Sequence, residues 1–280
     1  MIKLLTSGFW TSVQDLGRHG YRKSGIPLSG VMDRTSAMLA NQVVGNAPEA
    51  AVVEITASGP VLESQSSCFI AVSGGFDLKI AGVQQAHATK CYASAGSTIE
   101  FVPNGMGIRG YLAVRGGLDV EEVMGSHSQY VGVTTAARLQ KGATLPLAGA
   151  PVVATKPLPH LGLKPPTQDS LSVYPGPEWE QLDKQMQEAI LNSEWEVQPQ
   201  SNRMAYVLGA KEGVAGFDIV TAPVQPGMVQ LTPSGQLVVL MRDAQTTGGY
   251  ARVFQLDEPS MDVVAQRSSG EQLRFRLSDV

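Results

Sequence analysis

Three clusters of polar side chains set among glycines are where this 280-residue chain offers chemistry. The richest is Met241-Arg242-Asp243-Ala244-Gln245-Thr246-Thr247-Gly248-Gly249-Tyr250, directly after the apolar run Leu237 to Leu240. A carboxylate, an amide, two hydroxyls and a phenol together exceed what a hairpin loop requires. Asp243 supplies an acceptor for an N–H, and Gln245 supplies both a donor and an acceptor, a set that matches a small amide or ureido ligand. The second cluster, Ser201-Asn202-Arg203-Met204, carries in Arg203 a planar fork suited to a carboxylate or phosphate, or equally to a surface ion pair. The third runs from Ser12 through Gln14, Asp15 and Arg18, then from Gly25 to Asp33. Gln14, Arg18 and Asp33 are its candidate ligand contacts. The structural alternative is that Asp33 caps a helix, Ser29 and Gly30 form a turn, and Asp15 pairs with Arg18.

Other chemistry is excluded by what is missing or misplaced. Gly105-Met-Gly107-Ile-Arg-Gly110 has the spacing of a dinucleotide-binding turn, but the strand pattern Tyr111 to Val114 follows it where a helix is needed, so it reads as a glycine-rich hairpin turn. There is no P-loop and no G-x-S-x-G nucleophile elbow. His19, His87, His127 and His160 lack metal-ligand spacing, and Cys68 and Cys91 form neither a C-x-x-C nor a disulfide framework. No metal site is expected. No Met-Lys-Met tripeptide occurs, so the chain carries no biotinyl lysine, and no cofactor is expected on it alone. With 21 basic against 25 acidic residues and no basic run, nucleic acid is not an expected partner. No apolar stretch approaches the roughly 18 residues of a membrane helix or forms a signal-peptide core. The expectation is a cytoplasmic protein with no membrane partner.

The elements that must position these groups are mostly short strands. Val52 to Ile55, Cys68 to Val72, Phe76 to Ile80, Thr98 to Val102, Tyr111 to Val114, Met228 to Leu231, Leu237 to Met241 and Leu273 to Leu277 are β-branched or aromatic-rich runs bounded by Gly, Pro, Asn or Ser. Trp195 to Val197 reads the same way. Their spacing favours antiparallel barrels or sandwiches. Helices are predicted from Asp33 to Val44, with Asp33 as N-cap and Gly45 as terminator, and from Pro177 to Leu191; a shorter one follows Ser260. The proline-rich stretch from Pro151 to Pro166 divides the chain into a β-rich half, 1–155, and a second half, 156–280. At 43% hydrophobic residues, a chain this long buries roughly 75% of its unfolded surface and holds a core unaided.

Taken in order, Gln14-Asp-Leu-Gly-Arg18, Gly25-Ile-Pro-Leu-Ser-Gly-Val-Met-Asp33, Ala40-Asn-Gln-Val-Val-Gly-Asn46, Glu54-Ile-Thr-Ala-Ser-Gly-Pro60, Arg109-Gly-Tyr-Leu-Ala-Val114, Ser201-Asn-Arg-Met204 and Asp243-Ala-Gln-Thr-Thr-Gly-Gly-Tyr250 resemble the biotin-dependent carboxyltransferase-like family. That family is also called allophanate hydrolase subunit 2 or KipA-like and includes the C component of 5-oxoprolinase. The resemblance runs from about Phe9 to Phe275. It implies a mainly β fold of cyclophilin-like β-barrels with two or three short helices, and as partner the KipI-like B component of 5-oxoprolinase. It further implies a third oxoprolinase subunit with which the pair opens the lactam of 5-oxoproline to glutamate at the expense of ATP, this chain being inactive alone. Asp243 would then accept from the substrate and shuttle a proton, Gln245 and Thr246 would orient the amide, Tyr250 would be a further substrate contact, and Arg203 would hold the carboxylate. Two other roles fit the family: a regulator that sequesters a KipI-like kinase inhibitor, and a component that moves a carboxyl group to urea from a separate biotin carrier. The chain departs from the pattern at Gly125-Ser-His127-Ser-Gln129, where relatives usually carry Gly-Ser-Arg-Ser-Thr, and at Ala205 and Ala251. An imidazole at position 127 cannot make the bidentate fork of an arginine.

Overall fold

The computed structural model describes residues 1–149, 170–210 and 214–278. They form two compact units. The first takes residues 1–19 and the described residues from 29 to 149; the second takes residues 20–28 and those from 170 onward. The boundary read at residues 155 and 156, its proline-rich stretch and His160 lie outside the described residues. Nothing local in the sequence marks residues 20–28 as an excursion into the second unit.

In chain order the first unit contains β1 (Ile2–Leu4), β2 (Trp10–Gln14), α1 (Arg34–Val44), β3 (Val52–Thr56), β4 (Leu62–Ser64), β5 (Cys68–Gly74), β6 (Phe76–Ile80), β7 (Val83–Gln84), β8 (Cys91–Ala93), β9 (Thr98–Pro103), β10 (Arg109–Val114) and β11 (Thr144–Leu145). These make two open sheets, of order β11-β1-β4-β9-β6-β7 and β2-β3-β10-β5-β8. Strand alternation sends Leu62, Leu78, Ile99 and Phe101 of the first sheet against Val53, Ile55, Val72 and Leu112 of the second, forming one apolar core. Each such side chain contributes roughly 1.5–3 kcal/mol through burial. The glycine run 105–110 is a turn but not a hairpin. It carries the chain from β9 in one sheet to β10 in the other, which are not paired.

On the outer face of the five-stranded sheet lies α1. Asp33 caps it, its carboxylate accepting from the Ser36 amide at 2.9 Å and the Ser36 hydroxyl at 2.6 Å, and Gly45 ends it at φ +81°. Its Ala37, Ala40 and Val44 pack on Val52, Ala71 and Ala113, small residues that let the helix sit close to the strands.

The second unit contains β12 (Ser170–Pro175), α2 (Lys184–Asn192), β13 (Trp195–Val197), β14 (Ala205–Gly209), β15 (Asp218–Pro223), β16 (Met228–Leu231), β17 (Leu237–Leu240), β18 (Thr247–Leu256), α3 (Glu258–Ala265) and β19 (Gln272–Leu277). The order β12-β19-β13-β14-β17-β16-β18 closes because β12 also pairs with β18, giving a seven-strand barrel with β15 added outside β18. Closure removes the exposed edges an open sheet would leave. Phe254 sits between Trp179 and Phe275, with ring centroids 4.6 and 5.4 Å away.

The helix expected from Pro177 to Leu191 is two pieces. A 3-10 turn, Trp179–Gln181, buries Trp179, and Asp183 then starts α2 by accepting from the Met186 amide at 2.7 Å. That side-chain cap, rather than Pro177, sets the helix start. The third helix begins before Ser260, at Glu258, capped by Asp257. Among the described residues no helix is long and apolar enough to cross a membrane.

Candidate functional site

The sequence-selected residues fall into two groups, one in each unit. In the barrel unit, the residues around Arg203 and Met204 run alongside those from 241 to 243, extending the pairing of β14 with β17: the Met241 amide donates to Met204 O at 2.8 Å and the Asp243 amide to Arg203 O at 3.0 Å. This brings Arg203 and Asp243 together. The guanidinium donates from Nε to Asp243 Oδ2 at 2.8 Å and from an η nitrogen to Oδ1 at 3.1 Å, and both residues are buried. A bidentate, charge-assisted pair of this kind is strong and directional. The carboxylate on Arg203 in the structure is thus that of Asp243, an acceptor held in one orientation.

Gln245 is exposed and Thr246 half-buried at the tip of the connection. The polar run Met241 to Tyr250 is not all connection, since β18 begins at Thr247. Gly248 and Tyr250 are strand residues paired with Ala222 and Asp218 of β15. At Gly248 a Cβ would stand 2.6 Å from Gln230 Nε2, so a larger residue there would displace the end of the Gln230 side chain. Tyr250 remains 42% exposed. Next to Asp243, buried Arg242 grips Glu258 of α3 at 2.7 Å and fixes the far side of the connection.

In the first unit, Gln14 is the last residue of β2 rather than a loop residue. It accepts from the Gly30 amide at 3.2 Å and donates to Ser12 Oγ at 3.0 Å and Gln129 O at 3.2 Å. Arg18 is fully buried and donates to Val123 O at 3.0 Å and Ser128 O at 2.9 Å. Asp15 accepts from the Gly17 and His127 amides at 2.8 and 2.7 Å and from the Ser126 and Ser128 hydroxyls at 2.7 and 2.6 Å. Burial works to raise its pKa, but the Ser128 hydroxyl, the His127 amide, the Ser126 hydroxyl and the Gly17 amide together outweigh burial and hold it below the usual carboxylate value. Gln14, Asp15 and Arg18 therefore share one task, shaping the segment 123–129.

Asp33 serves a different structure. Cross-strand register aligns Ser12, Glu54, Tyr111 and Ser73 in one row over the sheet face that carries α1, all of them buried. The segment leading into α1 is fastened to that row: the Met32 amide donates to Glu54 Oε2 at 2.7 Å, the Asp33 amide to Tyr111 Oη at 2.8 Å, and the Ser73 hydroxyl to Ser36 O. Ser29, at the start of the segment, is fully buried, has φ +56°, and its hydroxyl has no partner among the described residues. Backbone strain of this kind gathers at functional positions. Sequence reasoning did not select Glu54 or Tyr111, although a carboxylate inside Val52-Val53-Glu54-Ile55 was a visible signal.

Burial, reinforced by the Glu54 and Asp33 carboxylates and opposed by Arg109, raises the Tyr111 pKa well above 10.0. Tyr111→Phe deprives the buried Asp33 amide of this acceptor and is expected to lower stability by about 1–3 kcal/mol in urea unfolding. The raised value means the folded protein keeps a proton that the unfolded chain releases. Wild-type stability therefore falls as pH rises above 10.0, and the Phe variant lacks that part of the slope.

A closed barrel joined in one chain to a pair of open sheets, with buried polar networks in each unit, defines a particular class of β protein, and solved structures share it. TTHA0988 superposes with a TM-score of 0.88 at 30% identity, over 98% of this chain and 55% of that one. The K. lactis urea amidolyase superposes at 0.86 and 29% identity, over 98% of this chain and 18% of that one. The family model "Carboxyltransferase domain, subdomain A and B" matches residues 24–277, and the chain belongs to that family. It is similar to the C component of the 5-oxoprolinase of Escherichia coli K12, 33% identical over 98% of this chain and 90% of the relative, and to that of Haemophilus influenzae, 29% identical with the same coverage. The chain spans just over half of TTHA0988.

Proposed function

We propose that this chain is a subunit of an ATP-dependent 5-oxoprolinase, acting with the KipI-like B component and a third oxoprolinase subunit and inactive alone. The observation that carries this reading is likeness to two C components of 5-oxoprolinase, 33% and 29% identical over 98% of this chain, against 27% for the Lachancea kluyveri urea amidolyase. In this reading Asp243, held in place by Arg203, accepts the lactam N–H and relays its proton. Gln245 and Thr246 orient the amide, and Tyr250 borders the bound ring. Gln14, Arg18 and Asp33 act within the first unit, where they fix the segment 123–129 and the start of α1. ATP is used by the complex, and a reducing cytoplasm suits the two free thiols of Cys68 and Cys91.

Likeness to urea amidolyases favours a second reading, carboxyl transfer to urea from a separate biotin carrier. The deciding experiment is ATP-dependent conversion of 5-oxoproline to glutamate by this chain with both companion subunits, each omitted in turn. Turnover is expected only from the full mixture. A verified intact complex that leaves 5-oxoproline unchanged overturns the oxoprolinase reading.

A further inference from the structure

We infer that the open edge of β8 in the first unit is a docking site for an acidic, extended segment of another protein, a surface independent of the activity proposed above. The five-stranded sheet has two outer strands, β2 and β8. Along β2 the edge is covered, since the Gln129 amide donates to Val13 O at 3.0 Å and the Leu139 amide to Thr11 O at 2.8 Å. Along β8 it is open. The Arg115 amide donates to Phe69 O at 2.9 Å, which turns the backbone groups of Phe69 toward β10. Phe69 stands opposite Tyr92 in the antiparallel pairing of β5 with β8, so the two form a non-hydrogen-bonded pair, and the Tyr92 N–H and C=O point away from the sheet. Among the described residues neither group has a partner.

The side chains beside this edge decide what can pair with it. Arg115, Phe69 and Tyr92 make one cross-strand row on the sheet face that carries α1. Tyr92 is 57% exposed, and its ring centroid lies 5.4 Å from that of Phe69. Lys90 Nζ and the Arg115 guanidinium carbon stand 5.6 and 5.7 Å from the Phe69 centroid, within cation–π range. Both cations are exposed, and among the described residues neither makes an ion pair. Two like charges held at one ring repel each other, and a carboxylate arriving beside Tyr92 relieves both. A short edge strand with a lysine next to it discourages pairing with neutral or basic strands. Against an acidic strand the same charges select rather than repel.

Charge also settles the occupant. A second copy of the chain, pairing β8 with β8, would gather both copies of Lys90 and Arg115 on one face. Residues 150–169 of the chain itself bring Lys156 and Lys164 against Asp169 alone, with five prolines that lack the N–H a ladder needs. A separate protein with acidic side chains at alternate positions fits, because pairing opposite Tyr92 places every second side chain on the face that Lys90 and Arg115 occupy.

The test is backbone amide NMR of the isotope-labelled full chain titrated with the capped peptide acetyl-Thr-Glu-Val-Glu-Val-Glu-Thr-amide and with its counterpart carrying lysine in place of glutamate. Saturable shifts centred on Phe69, Lys90 to Ser94 and Arg115 are expected from the acidic peptide alone, weakening as salt is added. In the free protein the Tyr92 amide should exchange rapidly with solvent, and the acidic peptide should slow that exchange. Lys90→Glu combined with Arg115→Glu is expected to weaken the acidic peptide by at least about tenfold and to admit the lysine peptide. Tyr92→Pro removes an N–H that the sheet itself does not use, so the protein should stay folded and lose binding. Tyr92→Ala keeps that N–H and should retain saturable, weaker binding. Absence of saturable shifts with the acidic peptide, equal binding of the two peptides, a Tyr92 amide already protected in the free chain, or a dimer in sedimentation that Tyr92→Pro abolishes overturns the inference.

Discussion

Asp243→Ala is expected to lower the stability of the barrel unit by about 3–5 kcal/mol and to abolish activity of the complex, because it removes the carboxylate that grips the buried Arg203 guanidinium at 2.8 and 3.1 Å. Loss of activity alone therefore cannot identify Asp243 as a substrate contact. A double variant separates the two roles. Arg203→Met with Asp243→Leu replaces the pair by apolar groups of similar size, a change that is neutral or stabilising for many buried ion pairs. Its urea midpoint is expected to return close to that of the wild type. If Asp243 meets the lactam N–H, ATP-dependent turnover of 5-oxoproline stays absent in that stable protein. Recovery of turnover would confine Asp243 to holding the β14 and β17 extensions together.

The contrast between Asp243 and its partner shows what the sequence disclosed. Each was selected for its functional groups, which are local information. Their pairing across 40 positions depends on where β14 and β17 lie, and no local pattern carries it. The strands were legible for the same reason: β-branched runs between glycines announce themselves within a few residues, as do the cap and terminator of α1. The split at Asp183 was missed because Pro177 is an equally acceptable helix start, and burial of Trp179 decides between them. The turn at residues 105–110 was read as a hairpin because strand order is a tertiary property, and β9 and β10 turned out to belong to different sheets. Glu54 and Tyr111 were passed over because a buried polar row emerges only once register is known. For Asp15, the partners Ser126 and Ser128 lie more than 100 residues away, so its role could not be separated from a local pairing with Arg18.

That long-range role makes Asp15→Asn the most informative change in the first unit. Four donors converge on two carboxylate oxygens, and an asparagine supplies one oxygen and turns an N–H₂ toward hydroxyls and amides that need an acceptor. A loss of at least about 3 kcal/mol at neutral pH is expected, since bonds to a charged acceptor are worth roughly 1.5–3 kcal/mol each and do not simply add. The depressed pKa fixes the pH dependence. The folded protein releases this proton more readily than the unfolded chain, so the stabilisation is present above 3.8 and is lost as pH falls from there through the lower folded value. The gap between wild type and variant should narrow over that acid range in urea unfolding curves, whereas a gap independent of pH would mean that shape alone was at stake. Because Asp15 holds the His127 amide while Gln14 holds Gln129 O, the same variant should speed hydrogen exchange across residues 126–129. Unchanged exchange there would show that the segment keeps its geometry without the carboxylate behind it.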